Sequence, residues 1–245
     1  MSLHEQLRDL REQYESERRL PPDALEILDR GIREPAESGL TDRALTAGAQ
    51  APRFTLPAAT GEQVTLDRLL TKGPVVLTFY RGAWCPFCNL ALRALQQHHD
   101  AITARGARLV AVSPQTPDES LTQAEKQQLT FDVLSDTGSK TAQQYGIAFD
   151  LSDELGALYD RLGLDLLRVN GGHARTLPLP ATYVIDRSGT IRWAFVQTDH
   201  TMRAEPADIL TALDTLNRPP HPEGIVIAHH APGNPAHTTW TWTGR

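Results

Sequence analysis

Leu3, Leu7, Leu10 and Tyr14 recur at i, i+4, i+7 and i+11, which predicts one apolar stripe on a helix that stops before Pro21-Pro22. Leu25, Leu28 and Ile32 mark a second short helix. Such stripes either seam two copies of a chain together or pack onto the body of the same chain, and the second is the more ordinary use. From about residue 46 the texture changes to alternating strand and helix patterns. Phe54 to Leu56 and Gln63 to Leu66 flank the turn Ala-Ala-Thr-Gly-Glu and read as a short hairpin. Pro74-Val75-Val76-Leu77-Thr78-Phe79-Tyr80 is a continuous apolar, β-branched run, the pattern of a buried central strand. Cys88, Leu92, Leu95 and Ile102 then fall on one face of a helix that Ala104-Arg105-Gly106 ends before a strand over Leu109 to Val112. Together these form one βαβ unit.

The pattern repeats more loosely further on. A helix is expected over Ser120 to Leu129, a strand over Phe131 to Leu134, and a helix over Ser139 to Tyr145 closed by Gly146. Residues 151–178 read as a polar insertion with one helix around Glu154 to Leu162 and a loop at Asn170-Gly171-Gly172-His173. Ala181 to Ile185 and Ile191 to Val196 are strands joined by the hairpin turn Asp186-Arg187-Ser188-Gly189-Thr190, and Glu205 to Leu216 is a closing amphipathic helix. This order predicts an α/β fold, a central mixed sheet flanked by helices. Three segments follow: a helical extension over 1–45, the α/β domain over 46–216, and a tail over 217–245. The extension holds 18 charged residues in 45, so it is expected to be solvated and outside the main core. The tail has five prolines and four histidines in 29 residues, a linker-like composition, although Ile225 to Ala228 and Thr239 to Thr243 have strand character.

Charge narrows the function. With 24 Lys+Arg against 30 Asp+Glu, the net charge is −6 and no basic stripe exists for nucleic acid. No apolar run approaches a membrane span, and the charged N-terminus does not read as a signal peptide, so a cytoplasmic protein is expected.

The candidate chemistry lies in the only two cysteines, Cys85 and Cys88, at the junction of the buried strand and its helix. There the Cys85 thiol is expected to meet the free N–H groups and positive dipole end of the helix, which lower a thiol pKa, with Arg81 adding positive charge. Pro86 suits the first helical turn, where its missing N–H costs nothing. The expected division is that Cys85 attacks and Cys88 resolves. A zinc half-site lacks two further ligands, because adjacent His98 and His99 do not have the usual spacing. A purely structural thiol pair is the remaining plain reading. His221, His229, His230 and His237 in the tail are read as solvated surface, and neither a metal nor a cofactor is expected.

Trp84-Cys85-Pro86-Phe87-Cys88 resembles the active-site motif of the thioredoxin and glutaredoxin superfamily. The wider frame, Gly48 to Leu56, Val75 to Leu95, Val112 to Gln115 and Pro180 to Arg192, resembles the peroxiredoxin branch, the alkyl hydroperoxide reductase and thiol-specific antioxidant family. The resemblance spans about residues 46–216 and implies a thioredoxin-like fold and a redox-active disulfide. The family pattern carries Pro seven and Thr or Ser three residues before the attacking cysteine, and an Arg at the start of the later strand. Measured from Cys85, Thr78 and Gly82 stand at the first two positions, and Pro180 stands at the third. Pro180 resembles instead the cis-proline of thioredoxins, with the Leu179-Pro180 backbone lining the site. Arg81 is expected to polarise a peroxide in place of the missing Arg, with Thr78 or backbone N–H groups replacing the hydroxyl. Trp84 forms a wall, and Tyr80 is either a hydrogen-bond donor to the site or core.

The leading expectation is a peroxiredoxin-like thiol peroxidase: a Cys85 sulfenic acid resolved by Cys88, recycled by a thioredoxin-, glutaredoxin- or glutathione-type reductant, in a monomer or homodimer. The alternatives are a protein disulfide reductase or isomerase holding an extended peptide beside Leu179-Pro180, and a non-catalytic module with the cysteines as a redox sensor.

Overall fold

The computed structural model describes residues 1–16, 23–120, 128–173 and 175–216. Its elements are α1 (Leu3–Ser16), α2 (Ala24–Glu37), α3 (Leu40–Arg43), β1 (Thr55–Pro57), β2 (Gln63–Thr65), α4 (Leu66–Lys72), β3 (Val75–Phe79), α5 (Pro86–Gln97), α6 (His99–Ala104), β4 (Arg108–Ser113), β5 (Asp132–Ser135), α7 (Lys140–Gln144), β6 (Ala148–Asp150), α8 (Asp153–Arg161), α9 (Leu166–Val169), β7 (Thr176–Pro178), β8 (Ala181–Ile185), β9 (Ile191–Val196) and α10 (Pro206–Leu216). The central sheet has the order β5-β4-β3-β8-β9. β3 runs parallel to β4, and β4 to β5, through helical crossovers, while β8 lies antiparallel to β3 and β9 antiparallel to β8. This is the mixed α/β sheet expected from the sequence, with β3 at its centre and every β3 residue buried.

Alternation along the strands separates two cores. Val75, Leu77 and Phe79 face one layer with Leu134, Tyr145, Tyr183 and Ile185. Val76 and Tyr80 face the other, with Leu109, Val133, Val184 and the helices α5, α6 and α10. A third cluster joins α2 to the insertion through Ile27, Leu155, Leu158 and Tyr159.

The N-terminal helices are not outside the core. Leu3 and Leu7 of α1 are buried in the same layer as the cysteines, and Leu40 and Ala44 are buried in the opposite one. The charged residues that suggested a solvated extension occupy the outer faces, while burial of each leucine is worth about 1.5–3 kcal/mol. The stripe of α1 therefore packs on its own chain, with the Tyr14 and Phe87 rings 6.2 Å apart.

Several details depart from expectation. The helix after the cysteines breaks at His98, whose φ of −103° and ψ of 5° separate α5 from α6. Helix α4 and the paired three-residue strands β6 and β7 carry no strong pattern in the sequence; β6 and β7 form a separate antiparallel ribbon across the insertion. Residues 117–120 are helical, starting before the expected Ser120; of the helix expected to Leu129, residues 121–127 lie outside the described residues and 128–129 are not helical, and the tail with its expected strands and histidines also lies outside the described residues. No described helix is long and apolar enough to cross a membrane.

Candidate active site

β3 ends at Phe79, and residues 80–85 turn from the sheet into α5. Gly82 sits at φ +149°, where a Cβ would overlap the Trp84 indole nitrogen, so the tight turn requires glycine. The turn is closed by Cys85 N–H donating to the Gly82 carbonyl at 3.1 Å. The Gln115 side-chain carbonyl accepts from Ala83 N–H at 2.5 Å, and Asn89 Nδ2 donates to the Ala83 carbonyl at 2.9 Å. Cys85 is the N-cap of α5 in an extended conformation and Pro86 the first helical residue, as its missing N–H allows. Cys88 follows in the first turn.

Both cysteines are free thiols and almost fully buried, 1% exposed at Cys85 and 0% at Cys88. Arg203, from the loop between β9 and α10, donates through Nη2 to Cys88 Sγ at 2.8 Å and lies 4.0 Å from Cys85 Sγ. The two thiols consequently differ. Burial pushes both upward. At Cys88 this is outweighed by the hydrogen bond from the Cys85 thiol, the Arg203 charge, the Arg81 backbone N–H and the Arg81 charge, so its pKa falls well below that of an ordinary thiol. At Cys85, burial, the proton shared toward Cys88 and the Cys88 negative charge hold the pKa well above. The expectation that the helix N-terminus would lower Cys85 is thereby corrected: its side chain accepts no capping hydrogen bond from α5, and the nearer cation sits on its neighbour.

Arg81 is buried, with its guanidinium carbon 4.9 Å from the Trp84 ring centroid and 5.6 Å from that of Tyr159, whose hydroxyl accepts from Nη2. Trp84 is thus a wall, as expected, and Arg81 holds that wall in place. Thr78 does not supply the missing hydroxyl to the site, because its Oγ1 pairs across the sheet with Thr182 Oγ1 at 3.0 Å. The Tyr80 hydroxyl is buried and its pKa is pushed up to about 12, mainly by burial, so it remains protonated.

The Leu179-Pro180 expectation is corrected in two respects. No cis peptide occurs among the described residues, so Pro180 is trans. Its carbonyl accepts from Gln197 N–H at 3.1 Å and is not offered to a peptide, while Leu179 is fully buried in the layer opposite the cysteines and donates to the Ile147 carbonyl. The reason is connectivity: β7 and β8 pair on either side of this dipeptide, and both neighbours claim its backbone. Pro180 itself does line a small cavity beside the site with Leu28, Gly31, Arg81, Tyr159 and His200, roomy enough for about one water.

Arg203, His200 and Tyr159 were not legible as site residues in the sequence. His200 is half-buried and edge-on to Phe87, and desolvation together with the Arg81, Arg203 and Arg11 charges holds its pKa well below the usual value, so it is neutral near pH 7. His98 and His99 are instead hydrogen-bonded to the Ala94 carbonyl and to Thr130 Oγ1. Among the described residues no group of three or more His, Cys, Asp or Glu is placed to hold a metal ion.

The sequence profile of the AhpC/TSA family matches residues 47–194, from the segment before β1 to the middle of β9. The chain belongs to this family. Within AhpC/TSA, peroxiredoxin Q of Triticum aestivum, a chloroplastic protein, is 27% identical over 177 residues, covering 72% of this chain and 71% of that protein. Peroxiredoxin Bcp of Escherichia coli K12 is 33% identical over 116 residues, 47% of this chain and 73% of that one. Among solved structures, the peroxidoxin BcpB of Mycobacterium tuberculosis superposes with a TM-score of 0.56 at 22% identity, covering 71% of this chain and 99% of that one. The reduced 2-Cys peroxiredoxin of Plasmodium vivax also gives 0.56, at 21% identity over 70% and 82%. These superpositions show the thioredoxin-like fold. The family profile ends at residue 194, before Arg203.

Proposed function

We propose that the Cys85–Cys88 pair is the redox centre of a thiol peroxidase. The observation that carries it is a buried thiol whose sulfur accepts from Arg203 at 2.8 Å, with a second thiol three residues away, in an AhpC/TSA-family fold. A thiolate displaces alkoxide or hydroxide from a hydroperoxide: the S–O bond forms, the O–O bond breaks, and the leaving oxygen takes a proton to depart as alcohol or water. The sulfenic acid then condenses with the other thiol to a disulfide and water. An external thiol reductant of thioredoxin, glutaredoxin or glutathione type restores both thiols, which a reducing compartment such as the cytoplasm supplies.

Disulfide exchange on protein substrates is the weaker reading. Two sulfurs that are 0–1% exposed offer little to an extended peptide. Stopped-flow oxidation of the reduced protein by hydrogen peroxide, followed through Trp84 fluorescence, tests the proposal. A rate far above that of free cysteine, with loss of two hydrogens in the product mass, is the expected result. A rate no faster than free cysteine overturns it.

A further inference from the structure

Arg203 reaches the thiols from a loop that has no part in the Cys-x-x-Cys motif, and that loop is tied down by the N-terminal helix. Asp199 Oδ1 accepts from Thr201 N–H and Oγ1 at 2.8 and 2.7 Å, forming the turn that starts the approach. Arg203 Nη1 donates to the His200 and Met202 carbonyls at 2.7 and 2.6 Å, which fixes the guanidinium while leaving its charge for a further partner. The Arg203 carbonyl accepts from His4 Nε2 at 2.8 Å. Two residues on, the Glu205 carboxylate accepts from the backbone N–H groups of Leu3 and His4 at 3.3 and 2.6 Å, an anion seated on the first turn of α1. Arg11 of α1 adds an ion pair to Asp199 at 3.6 Å.

We propose that α1, by clamping the 199–205 loop through His4, Arg11 and Glu205, delivers Arg203 to Cys88, and that Cys88 is therefore the attacking sulfur and Cys85 the resolving one. This deepens the peroxidase reading and rests on it, and it reverses the order expected from the motif alone. Its geometric basis is the 2.8 Å contact to Cys88 against 4.0 Å to Cys85. The charged and titratable groups facing Cys88 are Arg203 from the loop, Tyr159 from α8, and Tyr80, Arg81 and Cys85 from the β3–α5 turn; of these only the two arginines are charged near pH 7. In the first step the Cys88 thiolate takes the terminal peroxide oxygen. In the second, the Cys85 thiol gives up its proton, its sulfur bonds Cys88 Sγ, and the sulfenic hydroxyl leaves with that proton as water. Arg203 touches the reacting sulfur, whereas His4 and Glu205 are positioning residues that act through it.

The test uses full-length Cys85→Ser and Cys88→Ser proteins, hydrogen peroxide, and a dimedone trap with peptide mapping. Cys85→Ser is expected to stall before the disulfide and accumulate a sulfenic acid on residue 88, while Cys88→Ser loses the fast phase. In the Cys85→Ser background, Arg203→Met raises the midpoint of the pH–rate profile toward that of a free thiol, leaving a few per cent thiolate at pH 7 and slowing the reaction there about tenfold or more. Arg203→Lys restores part of the shift, and Glu205→Gln gives a smaller one in the same direction. Should Cys85→Ser fail to fold, alkylation of the reduced wild type at pH 6 must label residue 88 before residue 85. Fast oxidation of Cys88→Ser with the adduct on Cys85, or first labelling of Cys85, overturns the inference and leaves the peroxidase reading standing. A wild type no faster than free cysteine removes both.

Discussion

Arg81 donates through Nη2 to the Tyr159 hydroxyl, joining the turn after the central strand to a helix of the insertion 78 residues away in sequence. That bond gives the buried guanidinium a hydrogen-bond acceptor, and the Trp84 and Tyr159 rings lie 4.9 and 5.6 Å from its carbon. Tyr159→Phe keeps the ring and removes the acceptor, leaving a buried donor without a partner at a cost of about 1–3 kcal/mol. Urea unfolding measures this. A midpoint unchanged from wild type contradicts the role, and in either case the Cys88–Arg203 contact is left intact.

Acid sensitivity follows from His200. Its pKa is held well below the usual 6.5, so as pH drops through 6.5 the unfolded chain takes up a proton that the folded protein refuses. Stability accordingly falls with falling pH, by up to about 1.4 kcal/mol per pH unit from this group, until the folded-state pKa is reached. His200→Gln is expected to flatten the slope below pH 6.5 in thermal melts. An identical slope in wild type and variant assigns it to other groups.

Gly82→Ala places a Cβ onto the Trp84 indole and within 3.1 Å of Gln115 Cδ, at a φ of +149°. Gly61→Ala is the control, since it is also at positive φ but meets nothing within 4 Å. Backbone strain of about 1–3 kcal/mol applies to both. The Gly82 variant is expected to lose more than the control and also to shift the near-ultraviolet circular dichroism of Trp84. Equal losses with unchanged spectra show that the indole tolerates the methyl group.

Leu7 is 3% exposed in the layer that holds the cysteines, on the helix that packs against α5. Leu7→Ala removes packing worth about 2–5 kcal/mol where the site cannot collapse. The expected readout is faster labelling of the two thiols by iodoacetamide under native conditions, because a loosened α1 uncovers α5. Labelling at the wild-type rate means that α1 does not screen the thiols.

How much of this was legible varies by element. β3 was plain, because a strand buried on both faces needs an unbroken apolar run, and Val75 to Phe79 supplies one. The β8–β9 hairpin was plain because Ser188 and Gly189 with Asp186 build their own turn, with Asp186 Oδ1 accepting from Ser188 N–H at 2.9 Å. The β6–β7 ribbon was not, since three-residue strands hold too few positions for any period to show. The break at His98 was hidden because apolar spacing continues past it to Ile102, and the chain turns there through backbone hydrogen bonds from His98 N–H to the Ala94 and Leu95 carbonyls.

The site divides in the same way. Cys85, Pro86 and Cys88 were assigned from sequence because their chemistry depends on local spacing: a proline at the first helical position and thiols one turn apart define a helix start whatever surrounds it. Trp84 and Arg81 lie within the same turn and shared that legibility. Arg203 did not, being 115 residues from the sulfur it touches, in a loop whose sequence resembles any polar connection. So the sequence by itself determined the fold class, the family and the pair of thiols proposed to carry the chemistry. Only the tertiary structure decided that Arg203 approaches Cys88 more closely than Cys85, at 2.8 against 4.0 Å, because a thiol's pKa is set by the groups that fold against it. Here those groups are the neighbouring Cys85 thiol, Arg203 from a distant loop, and Arg81.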